Sequence, residues 1–310
     1  MGQGVGFGKV ILFNEHFVVY GIPAVASAIG AKTTASVDRS PGAGHELKDE
    51  RPETPGYKAE KFQQQKESLD TMLKFMKVDT EHNRYTITLG GDLIAASGVG
   101  ASAASCAAIA RAFSQELGLN FSDEKVNEAA YEGEKGYHGT PSGIDNTAAT
   151  YGGLIWYRRE GSSQLTERMR LRKPVEIVMG NTGKVSDTKS VVAGVRQRKE
   201  KEPEKYARLF QNADRLARAA RKELENFNLE LVGAYMNENH KLLQEIGVSS
   251  KELDVLVDLA RDKGALGAKL TGTGMGGYMV ALTPGQELQN RVAGEIARSG
   301  YQALCTTIGI

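Results

Sequence analysis

Gly98-Val99-Gly100 runs directly into Ala101-Ser102-Ala103-Ala104, a string of small helix formers. A glycine turn feeding a helix presents free backbone N–H groups at the positive end of the helix dipole. That arrangement holds phosphate oxygens. Taken alone, Gly-x-Gly before a helix is more often an ordinary tight turn. It is not a Walker loop, because no Gly-Lys-Ser/Thr follows, and it does not complete a dinucleotide fingerprint. Ser102 strengthens the phosphate reading. A hydroxyl in the first helical turn can bond phosphate or bind a magnesium ion, or it can be one more small packed residue.

The stretch from Glu134 through His138-Gly139-Thr140-Pro141-Ser142-Gly143-Ile144-Asp145-Asn146 is the richest in the chain. Gly139, Pro141 and Gly143 force a loop between two acidic residues. Such a pair can point into one cleft, one carboxylate holding a metal and the other facing a substrate hydroxyl. The alternative is a surface glutamate and a helix-capping aspartate. Lys9 interrupts a run of Val, Ile, Leu and Phe. Either it points outward, or it serves a site by polarising an attacking hydroxyl. Glu15 and His16 fall in the turn after that run, where polar side chains serve a ligand or a cap; substrate contact rather than acid–base work is expected of His16. A third glycine-rich stretch, Lys269 to Gly277, can let a ligand or another backbone approach closely, or simply turn a hairpin.

These residues need elements to position them. Val5 to Phe13, Ala24 to Ile29, Lys32 to Val37, Tyr85 to Leu89, Leu154 to Tyr157, Val175 to Met179, Tyr278 to Leu282 and Ala303 to Thr307 read as strands. Leu69 to Val78, Ala101 to Leu117, Glu204 to Phe227, the segment carrying Leu253, Leu256 and Leu259, and Gln286 to Arg298 read as helices. Ser122 reads as an N-cap with Asp123 and Glu124 behind it, and Glu134 lies beside the packed face of that helix. Pro41 to Lys66, rich in proline, glycine and charge, reads as a mobile surface insertion. Arg215, Arg218, Arg221 and Lys222 read as a solvated helix face. The mixture is α+β, with domains at 1–173 and 174–310.

The 310 residues carry a formal net charge of +1, which argues against a general nucleic-acid binder. No apolar run is long enough to span a bilayer, and no secretory signal is expected. Cys106 and Cys305 read as two buried free thiols in a reducing compartment. A cytoplasmic location is expected, with a peroxisome-related organelle and a short leader ahead of Met1 left open.

Taken in order, the three motifs resemble the GHMP kinase superfamily over nearly the whole chain. Within it the mevalonate kinases are most similar. Lys9-Val10-Ile11-Leu12-Phe13-Asn14-Glu15-His16-Phe17-Val18-Val19-Tyr20-Gly21 resembles that family's opening phrase. The stretch Gly133 to Asn146 and the stretch Asn181 to Arg196, with Thr188, resemble it too. Phe17-Val18 stands where a galactokinase would show Thr-Asp.

The resemblance implies a two-domain GHMP kinase fold, with an N-terminal ribosomal-protein-S5-like domain and a C-terminal ferredoxin-like domain. It implies ATP and (R)-mevalonate as substrates. Lys9 and Asp145 would flank the reacting hydroxyl, and Ser102 and Glu134 would bind Mg2+. The loop Ser97-Gly98-Val99-Gly100-Ala101-Ser102 would cradle the phosphates, and Glu15, His16 and Thr188 would contact mevalonate. Gly272 to Gly277 would support the cleft. Feedback inhibition by prenyl diphosphates is a family-level expectation, and the assembly is a monomer or homodimer.

Four positions depart from the family pattern: Asn14 and Met275 replace glycines, Ala101 replaces a serine, and Ala95 replaces a proline. None removes a catalytic side chain. The rivals are a kinase for another acceptor, such as phosphomevalonate or a sugar, and a nucleotide sensor without catalysis.

Overall fold

The computed structural model describes the chain except residues 54–56, 94–98, 140, 161, 162 and 185, and the side chains of 57, 160, 163 and 164. The chain forms two compact units, Met1–Lys9 with Ala28–Gly152 and Val10–Ser27 with Gly153–Ile310. Strands β1 (Gly2–Phe13) and β2 (Ala24–Pro41) each contribute residues to both.

The first unit adds β3 (Gly44–Asp49), α1 (Tyr57–Phe75), β4 (Asn83–Gly91), α2 (Ala101–Glu116), α3 (Asp123–His138) and α4 (Ile144–Tyr151). β2 lies antiparallel to β4, and β3 lies parallel to it. A parallel pair needs a crossover, and α1 supplies it. The expected insertion after Pro41 is therefore a strand and the start of a helix. Its Arg51 is buried.

Glycine at every second position in the first half of β1 has a specific use. A Cβ on Gly2, Gly4 or Gly6 would stand about 2 Å from the carbonyl oxygens of Ala112, Ala108 and Ala104. These acceptors are spaced one helical turn apart. A smooth strand face therefore lies directly on the backbone of α2, whose alanines are as small as the strand requires. This contact fixes where the first turn of α2 falls relative to Lys9. Ser122 caps α3 by accepting from the Lys125 amide, as its sequence context predicts.

The second unit adds β5 (Leu154–Glu160), β6 (Ser163–Met169), β7 (Val175–Asn181), α5 (Thr188–Lys201), α6 (Pro203–Glu225), α7 (Leu229–Glu245), α8 (Lys251–Asp262), β8 (Gly267–Thr271), β9 (Tyr278–Leu282), α9 (Gln286–Arg298) and β10 (Gln302–Ile308). Within it β10, β7, β9 and β8 pair antiparallel in that order. Leu209, Ala213 and Leu216 of α6 share a core with Leu253, Leu256 and Val257 of α8 and with Met279 and Ala281 of β9. On α6, Arg218 is exposed and pairs with Asp214, whereas Arg221 is half-buried, pairing with Glu167 of β6 and with Glu225 and lying over the Trp156 ring, which corrects the expected solvated face at that position.

Cys106 is buried and free as expected. Cys305 is free but exposed, which corrects the expectation of two buried thiols. The reason is strand alternation: Thr306 and Ile308 take the inward face of β10 and leave Cys305 on the other. Among the described residues no helix is long and apolar enough to cross a membrane.

Candidate active site

Lys9 does not point outward. It is 7% exposed, and its Nζ lies 3.0 Å from Asp145 Oδ1. Its own backbone amide donates to the Val99 carbonyl at 2.7 Å, which ties the strand to the turn ahead of α2. That turn ends at Gly100, a left-handed N-cap that offers no side chain to the helix. Among the described residues no side chain caps the first turn of α2. Ser97 and Gly98, expected to share this role, lie outside the described residues. Val99, Gly100, Ala101 and Ser102 lie within them.

Gly139 ends α3, and the left-handed Gly143 starts α4. The turn between them brings Asp145, in the first turn of α4, close enough to Glu134 for their charges to interact. Asp145 is thus not the cap of its helix; Gly143 is. Glu134 is 1% exposed. Burial, and secondarily the negative charge of Asp145, push its carboxyl up to about 8; a hydrogen bond from Ser102 and the charge of Lys9 act against this. Its Oε1 has no hydrogen-bond partner among the described residues.

A buried carboxylate oxygen with nothing to accept from is costly unless a ligand completes it. Among the described residues no group of three acidic, His or Cys side chains could cage a metal alone. Magnesium is bound by one or two carboxylates together with substrate phosphates and water. Glu134 and Ser102 therefore fit the ion that the sequence implied. His138, one turn after Glu134, places Nε2 3.7 Å from Glu134 Oε2. The sequence reading gave it no role, although the i,i+4 spacing was visible.

In the second unit, His16 begins a short 3-10 helix, and its Nε2–H donates to the Thr273 carbonyl at 2.6 Å. Burial holds its pKa below the usual histidine range, so the ring is neutral and Nδ1 remains an acceptor. The hydroxyls of Thr188 and Thr273 lie 2.8 Å apart. Thr273 thus joins two of the residues singled out from sequence. Glu15 is buried against the ammonium of Lys269, which also donates to the Leu270 carbonyl at 2.6 Å. Lys269 was missed as a partner. The available signal was a lysine among apolar strand residues, the same signal that singled out Lys9.

Asn14 replaces a family glycine and keeps its left-handed backbone, with φ 69°. Its amide also does what glycine cannot. It donates to the Pro23 and Ala213 carbonyls at 2.8 and 2.9 Å, and its Oδ1 accepts from Asn239 Nδ2 at 2.9 Å. Met275, the other replacement, likewise holds a left-handed backbone, and its side chain is exposed. The glycine beside it is obligatory in a different sense: a Cβ on Gly274 would stand 2.1 Å from the Val248 carbonyl oxygen. Ala95 lies outside the described residues.

A separate cavity of about 310 Å³ in this unit is lined by Trp156, Arg158, Leu165, Glu167, Arg218 and Arg221. It contains none of the expected site residues.

The chain matches the GHMP kinases N terminal domain over residues 66–153 and the GHMP kinases C terminal family over residues 220–302. The mevalonate kinase of Pyrococcus horikoshii is 35% identical over 93% of this chain and 90% of its own. That of Aeropyrum pernix is 35% identical over 97% and 94%. The crystal structure of L. major mevalonate kinase in complex with R-mevalonate superposes with a TM-score of 0.96, at 39% identity, over 99% of this chain and 96% of that one. The chain belongs to the mevalonate kinase family of GHMP kinases.

Proposed function

We propose that this chain transfers the γ-phosphoryl group of ATP to the primary hydroxyl of (R)-mevalonate, giving 5-phosphomevalonate for isoprenoid precursor synthesis. The observation that carries the reading is the set of four side chains at the open end of α2. Lys9 is paired with Asp145, and the buried Glu134 is bonded by Ser102, in a chain 39% identical to a mevalonate kinase solved with R-mevalonate.

Phosphoryl transfer asks little covalent chemistry of the protein and much positioning and charge neutralisation. The free N–H groups at Ala101 and Ser102 would receive phosphate oxygens, with Val99 and Gly100 shaping the turn. Glu134 and Ser102 would hold Mg2+, which when bound offsets phosphate charge. Asp145 would accept a hydrogen bond from the substrate hydroxyl, orienting it or taking its proton. Lys9 would oppose the negative charge that develops on transfer. Glu15, His16 and Thr188 are the proposed contacts for mevalonate, His16 through its free Nδ1.

The family domains are proposed to divide at Lys173 and Pro174, with support from matches that fall on either side of that point. A cytoplasmic enzyme, monomeric or homodimeric and inhibited by prenyl diphosphates at the ATP site, completes the proposal. Steady-state competition between farnesyl diphosphate and ATP tests the inhibition. ADP release with a panel of acceptors tests the function itself.

A further inference from the structure

The helix that offers its N–H groups to phosphate faces a mechanical problem. An N-terminus left open for a ligand cannot be capped by a side chain, and Gly100 indeed offers none. Its first turn needs an anchor that leaves the axial end free.

Arg51 supplies one from the side. It is 5% exposed. Its Nη1 donates to Ser105 Oγ at 2.6 Å, to the Ala101 carbonyl at 3.2 Å and to Thr33 Oγ1 at 3.3 Å. Ser105 Oγ itself donates to the same Ala101 carbonyl at 2.8 Å. The opposite edge of the guanidinium grips Asp49 through Nε–Oδ1 at 2.9 Å and Nη2–Oδ2 at 2.6 Å. Lys58 Nζ donates to the carbonyls of Asp49 and Arg51, and Gln65 donates to Asp49 Oδ2. The end of β3, the start of α1, the middle of β2 and the first turn of α2 therefore meet at one guanidinium.

The charge balance is also telling. A cation beside the positive end of a helix is opposed by the dipole, and the bidentate carboxylate of Asp49 offsets it. Lysine could not reproduce this grip, because it lacks the planar fork that serves Asp49 and α2 at once.

We infer that Arg51 is a positioning residue for nucleotide binding: held by Asp49, it fixes Ala101 and Ser105 so that Ser102 and the free N–H groups of α2 meet the phosphates. This rests on the reading of α2 as the phosphate-binding helix.

The test uses Ser105→Ala, which removes one hold on α2 and leaves the Arg51–Asp49 pair, and Arg51→Met, which removes the fork. Binding of a non-hydrolysable ATP analogue with magnesium is measured by calorimetry, KM for each substrate by steady-state kinetics, and Tm by thermal unfolding. The Kd for the analogue and the KM for ATP are expected to rise about tenfold in Ser105→Ala, with the KM for mevalonate and the Tm unchanged, and to rise further in Arg51→Met. Should Arg51→Met fail to fold, Ser105→Ala decides alone. Wild-type nucleotide affinity in the folded variants, or a rise in both KM values together, overturns the inference. If the wild-type chain itself binds no nucleotide, the phosphate reading fails and this inference with it.

Discussion

Lys9 Nζ and Asp145 Oδ1 stand 3.0 Å apart, with the lysine buried and the aspartate partly open to solvent. One partner comes from a strand near the start of the chain and the other from the first turn of α4. Both flank the open end of α2. The carboxylate is the more exposed of the two, and in the proposed reaction it would receive the substrate hydroxyl while the buried ammonium holds it in place.

Asp145→Asn keeps the shape of that side chain and removes its charge. Turnover is expected to fall by about 10² to 10⁴, the range for loss of a positioned acid–base group, with nucleotide affinity nearly intact. Single-turnover kinetics alongside calorimetry checks both halves. Near-normal turnover would remove Asp145 from the chemistry.

Glu134 makes the ligand-free protein sensitive to pH. Its native carboxyl is raised to about 8, against an ordinary value of 4.5. The native state therefore binds more protons than the unfolded chain between those values. The stability this contributes is complete below about pH 4.5 and is lost as pH rises through about 8. Without nucleotide, the wild type should lose Tm relative to Glu134→Gln across pH 5 to 8, and the variant should need more magnesium for turnover. Parallel Tm curves would show that the carboxyl is not buried in this way.

His240 behaves in the opposite direction. Its Nδ1 accepts from the Leu270 amide, which leaves the proton on Nε2 facing Asp254. Burial, then the charge of Arg261, lowers its pKa to about 4, and Asp254 only partly opposes them. This stabilisation is present above about pH 6.5 and lost as pH falls through about 4, with an upper bound on the order of 3 kcal/mol. Acid unfolding of the wild type against His240→Gln checks it. An equal pH dependence in both would contradict a neutral buried ring.

Lys269→Met removes the buried ammonium beside Glu15. Breaking one side of a buried pair costs about 3–5 kcal/mol, and the double change with Glu15→Gln should recover part of it. Chemical denaturation across the four-member cycle measures the coupling. Additive losses would show that the two side chains do not depend on each other.

Much of this was legible in the sequence, for reasons that differ by residue. α9 is found where its pattern puts it, and so is the cap at Ser122, because local spacing decides amphipathic helices and caps. Lys9, Glu134 and Asp145 were legible because charge inside apolar or glycine-turned segments demands a reason. Arg51 was not. It sits in a segment rich in proline and charge, whose local composition reads as loop. Its order comes from partners as distant as Ala101 and Ser105, which no local pattern reports. α7 escaped for a related reason: its apolar positions are mixed with Asn and His residues that are buried by long-range bonds, such as that between Asn239 and Asn14. Lys269 carried the same signal as Lys9, but the glycines that follow it drew the reading toward a loop.

The most direct test of the central claim is magnesium-dependent ADP release from ATP, with (R)-mevalonate, phosphomevalonate, galactose and homoserine offered separately. Turnover with mevalonate and not with the other three is the expected result. Turnover with a different acceptor would contradict the proposed substrate while leaving the phosphate site standing. ATP binding with no turnover on any of the four would contradict catalysis itself.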